Sequence, residues 1–146
     1  IALPVTGWKI KWDTQRLGHL QQWFNPDQDV SAWEAAAIAT YWTTPIDGDP
    51  YVGIAWYRVE VEMPVDAATG QWSIEFSGVD EAAWVWFDGK YLGSHDKGTN
   101  GYDKPFELNL PDNLTPGRKY TLAVRVRNER GAGGVWRPVT LVHHAE

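Results

Sequence analysis

Ten tryptophans and six tyrosines stand in 146 residues. Flat aromatic faces stack on the C–H patches of sugar rings, and they bring large area at low entropy cost. Several of these rings lie beside hydrogen-bonding residues in segments rich in turn formers. Trp42, Asp49 and Tyr51 form one group; His95, Asp96, Asn100 and Tyr102 form a second; Trp136 and Arg137 form a third. In such a set the aromatics would stack on a pyranose, while Asp, Asn, His and Arg would bond its hydroxyls. Trp136 is the first choice of aromatic, with Trp42 and Tyr102 behind it. It follows Gly133-Gly134, whose missing side chains would leave its indole face open, and its parity is opposite to Val135, Val139 and Leu141. Stacking and a few hydrogen bonds on a shallow surface predict weak affinity, roughly micromolar to millimolar.

Other chemistries find less support. A retaining glycosidase needs two carboxylates about 5–5.5 Å apart, and nineteen acidic residues single out no pair. There is no Gly-x-Ser-x-Gly elbow and no spacing that suggests a Ser-His-Asp triad. His19, His95 and the terminal pair His143-His144 are scattered. For metals, Asp47, Asp49, Asp96 and Asp103 lie in turn-rich stretches and offer hard oxygens suited to calcium. Asp47-Gly48-Asp49 only approaches a calcium-loop pattern. The expectation is therefore no cofactor and no metal site, with a structural calcium on Asp47, Asp49 or Asp103 as the alternative.

A second place for sugar is a sheet face. Trp84 and Trp86 are two residues apart on one strand, roughly 7 Å. They share parity with Arg58, Glu60, Arg125 and Arg127 on neighbouring segments. Exposing two such rings is costly without a partner. The favoured expectation is that the amino-terminal segment covers them with Trp23, Phe24 and Trp33, leaving the arginines in buried or half-buried ion pairs with Glu60.

The elements that must position these residues are strands. Val79 to His95 reads as a hairpin: Ala83, Val85 and Phe87 alternate with Trp84, Trp86 and Asp88. Asp88-Gly89 suits a type I′ turn, which needs positive φ at both central residues. Gly93 predicts a bulge or close approach. Trp8-Ile10-Trp12, Tyr57-Val59-Val61-Met63, Trp72-Ile74-Phe76, Phe106-Leu108-Leu110 and Tyr120-Leu122-Val124-Val126 each alternate, and Val135 to His143 is the last strand. Ser31-x-x-Glu34 is a capping-box pattern that predicts a short helix over Ala32 to Ala37, and Ala36 to Tyr41 has strand character. Short strands between turn signals predict an all-β sandwich in one domain, residues 1–146.

Composition sets the limits. Hydrophobic residues are 43% and charged residues 22%, with net charge −6. That suits a folded core and argues against nucleic acid or an anionic membrane as partner. No apolar run approaches the length of a membrane span. The absence of cysteine excludes disulfides and thiol chemistry. A chain that starts at Ile1 reads as a piece of a longer or processed protein.

Four segments in order carry a family resemblance: Tyr51-x-Gly53-x-Ala55-Trp56-Tyr57-Arg58; Val79-Asp80-x-Ala82-Ala83-Trp84-Val85-Trp86-x-x-Gly89-Lys90 with Gly93-Ser94-His95; Pro116-Gly117-x-x-Tyr120 through Val126; and Gly133-Gly134-Val135-Trp136-Arg137-Pro138-Val139-x-Leu141. Roughly from Gly7 to Val142, the chain resembles the sugar-binding, galactose-binding-like jelly-roll domain of glycoside hydrolase family 2 enzymes. The resemblance implies a jelly-roll β-sandwich, with catalysis in a separate barrel domain. In that family the loops after the Tyr-x-Gly entry and before Gly-Gly-Val-Trp lie near the catalytic pocket. Here the loop Asn128-Glu129-Arg130-Gly131-Ala132 is short, which counts against direct reach into a neighbouring active site. The leading expectation is a carbohydrate-binding module, not itself an enzyme, from a larger polysaccharide-degrading protein, secreted or periplasmic in a bacterium. Its partners would be an oligo- or polysaccharide and the adjoining catalytic domain. The alternative is an auxiliary domain that buttresses the catalytic barrel and binds no glycan. A small hydrolase is the third reading.

Overall fold

A computed structural model describes residues 1–42, 51–65 and 70–144. Nine strands are found among them: β1 (Trp8–Trp12), β2 (Glu34–Ala36), β3 (Gly53–Glu62), β4 (Gln71–Phe76), β5 (Ala82–Phe87), β6 (Lys90–His95), β7 (Phe106–Asn109), β8 (Lys119–Asn128) and β9 (Val139–His144). They form a six-stranded sheet, β2-β1-β3-β8-β5-β6, and a three-stranded sheet, β7-β4-β9. All strand pairs are antiparallel. This is the β-sandwich that the alternating strands imply, of the jelly-roll type that the family resemblance implies.

The alternation decides what each sheet buries. Between the sheets lie Tyr57, Val61, Val85, Phe87, Leu122, Val124 and Val126 from the large sheet, against Ile74, Phe76, Val139 and Leu141 from the small one. The opposite parity of the large sheet builds a second cluster on its outer face: Ile54, Trp56, Trp86 and Ala123, roofed by Trp23 and Trp33. The roof is the segment between β1 and β2. Asp13 ties it down, because its buried carboxylate accepts N–H bonds from Leu17 (2.7 Å), Gly18 (2.9 Å) and the Trp56 indole (3.0 Å).

The central hairpin has the expected turn. Asp88 and Gly89 have φ of 51° and 84°, the two left-handed residues of a type I′ connection. The bulge is there too: Val85 pairs with Gly93 and Trp86 with Tyr91, which leaves Leu92 as the extra residue.

The stretch around residue 35 departs from expectation. Residues 34–36 are a strand paired to Trp8–Ile10, not a helix. The two halves of the capping box bond elsewhere: Ser31 N–H donates to Asp29 Oδ1 (2.9 Å), and Glu34 accepts from the Trp12 indole (3.3 Å). The free edge of β1 then supplies ladder partners that a short helix would lack. Nor does strand character reach Tyr41, since Ala39 turns to φ 61°. The last strand starts at Val139, not Val135. Residues 135–138 lie outside the ladder, although Val135 is fully buried.

Candidate functional site

At one end of the sandwich the loops are laced into a rigid rim. Ala39 N–H donates to Val135 O (3.0 Å) and Trp42 N–H to Gly133 O (2.9 Å). Asp80 and Gly134 exchange two backbone bonds, each 2.9 Å. Glu81 Oε1 accepts the N–H groups of Glu129 (2.9 Å) and Arg130 (3.2 Å), which fixes the loop that leads into Trp136.

On this rim Trp136, Tyr102 and Arg137 come together. The Trp136 indole donates to Tyr102 O at 2.8 Å, and Arg137 donates to Asp103 O at 3.3 Å. The Arg137 guanidinium lies 4.1 Å from the Trp136 ring centroid. Tyr41 stacks on Trp136 at 5.1 Å and 10°, and Tyr102 lies near parallel to it at 6.2 Å and 21°. The result is a row of three rings whose outer members are 42% and 43% exposed. Sequence reasoning missed Tyr41. Its signal was parity: Tyr41 and Trp42 are consecutive, so one points in and the other out.

Trp42 is the one that points in, and it is no stacking platform. It is buried against Trp12 and Tyr51 in the main core. The glycine pair explains this. A Cβ on Gly133 would fall 2.5 Å from the Trp42 ring, and one on Gly134 would fall 2.6 Å from the Tyr57 hydroxyl. The missing side chains admit Trp42 and Tyr57 to the core; they do not bare Trp136. Tyr51 is likewise half-buried, its hydroxyl bonded to Ile54 O at 2.8 Å, and burial raises its pKa.

His95 stacks on Phe106 at 4.5 Å and 6°, and burial followed by the Lys97 charge lowers its pKa. Asp96 is exposed but engaged, with Arg127 Nη2 at 2.9 Å and Gly98 N–H at 3.2 Å. Its carboxyl sits below the ordinary range: burial works against this, and the Gly98 and Arg127 bonds outweigh it. Asn100 is exposed on the same loop. Asp103 pairs with Lys104 at 3.3 Å. Asp47 and Asp49 lie outside the described residues. Among the described residues no three His, Asp or Glu side chains converge as a metal site.

Two acids lie beneath the rim. Asp80 and Glu81 are 8% and 3% exposed. Burial, and then the charge of Glu81, pushes the Asp80 carboxyl up to about 6. Both are screened from solvent, and Glu81 is committed to the loop above it. A Ser73–Glu107–His144 cluster on the small sheet is no relay either. Ser73 Oγ (2.9 Å) and Glu107 Oε2 (2.6 Å) both meet His144 Nε2, and Ser73 also donates to Glu107. A nucleophilic serine needs its base oriented through the other ring nitrogen.

The outer face of the large sheet is covered in part, as expected. Phe24 stacks on Trp86 at 4.9 Å and 8°, and Trp23 and Trp33 pack beside Trp56. The expected ion pair with Glu60 is absent among the described residues. Arg58 donates instead to Trp23 O (2.9 Å) and Asn25 O (3.0 Å). Two carbonyls hold one Nη of a buried guanidinium without desolvating a second charge, while its Nε has no hydrogen-bond partner among the described residues. Beyond the roof, Trp84, Trp86, Tyr91, His19 and Arg125 line an open pocket of about 480 Å³.

Two antiparallel sheets in jelly-roll arrangement, with loops gathered at one end, define a β-sandwich domain. Residues 19–132 match the family described as beta-galactosidase second all-beta domain, and the chain belongs to that family, of the glycoside hydrolase family 2 type. A curated relative, a beta-glucuronidase of Formosa agariphila, is 34% identical over 79 residues; the match covers 54% of this chain and 8% of that protein. Among solved structures, a Ruminococcus gnavus beta-glucuronidase superposes with TM-score 0.82 at 18% identity, covering 97% of this chain and 27% of that one. The same enzyme in complex with D-glucuronic acid gives 0.83 at 17% identity, covering 98% and 29%. The chain thus spans under a third of these proteins.

Proposed function

We infer that this chain is a non-catalytic domain of a larger glycoside hydrolase, of the beta-galactosidase or beta-glucuronidase kind, and that it binds carbohydrate on its loop rim. The observation that carries this reading is the exposed row Tyr41–Trp136–Tyr102 with Arg137 against it. Trp136 is the keystone of the row, and the half-exposed faces of Tyr41 and Tyr102 are the stacking surfaces. Rings held in place by backbone bonds lose little entropy on binding. Asn100, Asp96 and Arg137 supply polar groups on the flanking loops.

A second reading, a buttress for a catalytic barrel, draws on the same row. Trp136 is already engaged by Tyr41, Tyr102 and Arg137, so a protein surface could complete it as well as a sugar could. A glycan array spanning galactosides, glucans, mannans and uronides, followed by calorimetry on the best ligand, separates the two. Binding that Tyr102→Ala weakens about tenfold or more supports the rim site. A chain that binds no glycan belongs to the second reading.

A further inference from the structure

Three arginines stand on the outer face of the six-stranded sheet, and the fold treats them differently. Arg58 is spent on the carbonyls of Trp23 and Asn25. Arg127 is spent on Asp96 and Glu129. Arg125 lies 4.6 Å from the Trp84 ring centroid, and among the described residues its guanidinium has no hydrogen bond or ion pair. The acid that acts on it is Asp13, whose carboxylate already accepts three N–H bonds. Arg125 is half-buried, and that burial lowers its pKa.

This one uncommitted fork opens into the pocket of about 480 Å³. The pocket is made by register. Trp84 sits opposite Arg125 on β8, and Trp86 opposite Tyr91 on β6. The Trp86 and Tyr91 rings are 5.3 Å apart at 56°, a corner rather than a stack. Tyr91 is 54% exposed. The volume suits one or two sugar rings. Trp86 is only 6% exposed, so the exposed ring of Tyr91 is the surface that suits a pyranose C–H face, and a planar guanidinium without a hydrogen-bonding partner suits a carboxylate, which it can bind through two parallel bonds.

We propose that this sheet-face pocket is a second carbohydrate site, separate from the rim, and that it takes acidic sugars, with Arg125 gripping the uronate carboxylate and Tyr91, propped against buried Trp86, holding the ring. The pocket places an unpaired cation on a chain whose net charge is −6.

The test is calorimetry on the 146-residue chain with 4-linked trigalacturonate and with 4-linked galactotriose as its neutral match. The same titrations are run on Arg125→Gln, Arg125→Lys, Tyr91→Ala and the rim variant Tyr102→Ala, each with a thermal melt. The acidic trimer binds about tenfold or more tightly than the neutral one, and 0.5 M salt reduces that margin. Arg125→Gln abolishes the margin; Arg125→Lys keeps part of it, since a charge remains without the fork. Tyr91→Ala weakens the acidic trimer, and the margin of the acidic over the neutral trimer survives Tyr102→Ala. Equal affinity for the two trimers, a margin that survives Arg125→Gln, or no binding of trigalacturonate overturns the proposal. Loss of the margin in Tyr102→Ala but not in Arg125→Gln would return the acidic ligand to the rim.

Discussion

At the scale of single residues, the rim shows a division of labour. Trp136 holds the ring group together, and Tyr102 is the sugar contact in the proposed rim site. The Trp136 indole holds Tyr102 O at 2.8 Å and its ring carries Tyr41 and Arg137. Trp136→Ala therefore lowers the thermal midpoint as well as glycan affinity, whereas Tyr102→Ala lowers affinity with little change in the midpoint. Melting curves and calorimetry on the two variants check this. Asp80 gives a pH signature. Its carboxyl titrates at about 6 in the fold against 3.8 ordinarily. Between those values the folded chain holds the extra proton, so stability is full at the acid end of the window and falls as pH rises through it. Asp80→Asn removes that fall. Its midpoint exceeds the parent's at pH 7.5, and the excess shrinks toward pH 4. An excess that is the same at both pH values would show that the carboxyl is not the cause.

At the scale of elements, the β5–β6 hairpin is the most determined piece. Phe87 is fully buried and stacks on Tyr120 at 5.2 Å, so Phe87→Ala costs about 3–5 kcal/mol, measured as a shift in the urea midpoint. Gly89→Val places a β-branched residue at φ 84° with its Cβ 3.2 Å from Pro26, and costs about 1–3 kcal/mol. These elements were legible because alternation and Asp88-Gly89 point to the same answer. The segment from Ser31 to Tyr41 was not. Its local capping signal competes with the open edge of β1, and only tertiary pairing to Trp8–Ile10 decides the contest. The glycine pair before Trp136 misled for a related reason. Gly133 and Gly134 make room for Trp42 and Tyr57, neighbours that sequence distance hides. The candidate rim was legible as a set of loops; which ring turned outward was not, since Tyr41 and Trp42 differ only in parity.

At the scale of the whole molecule, the six-stranded sheet buries aromatics on both faces. One face packs on the small sheet, and the other lies under a roof pinned by Asp13. That roof stops short of Trp84 and Arg125, leaving a pocket there, while the loops at the end of the sandwich leave the ring row exposed. A domain so constructed presents aromatic surfaces at two separate places. The central claim is that the rim binds sugar. The most direct measurement is calorimetric titration of this chain and of its Tyr41→Ala/Tyr102→Ala double variant with the best array ligand. The parent should bind with a Kd in the roughly micromolar to millimolar range, and the double variant should lose at least about tenfold with its thermal midpoint retained. Undiminished binding by the double variant would contradict the account.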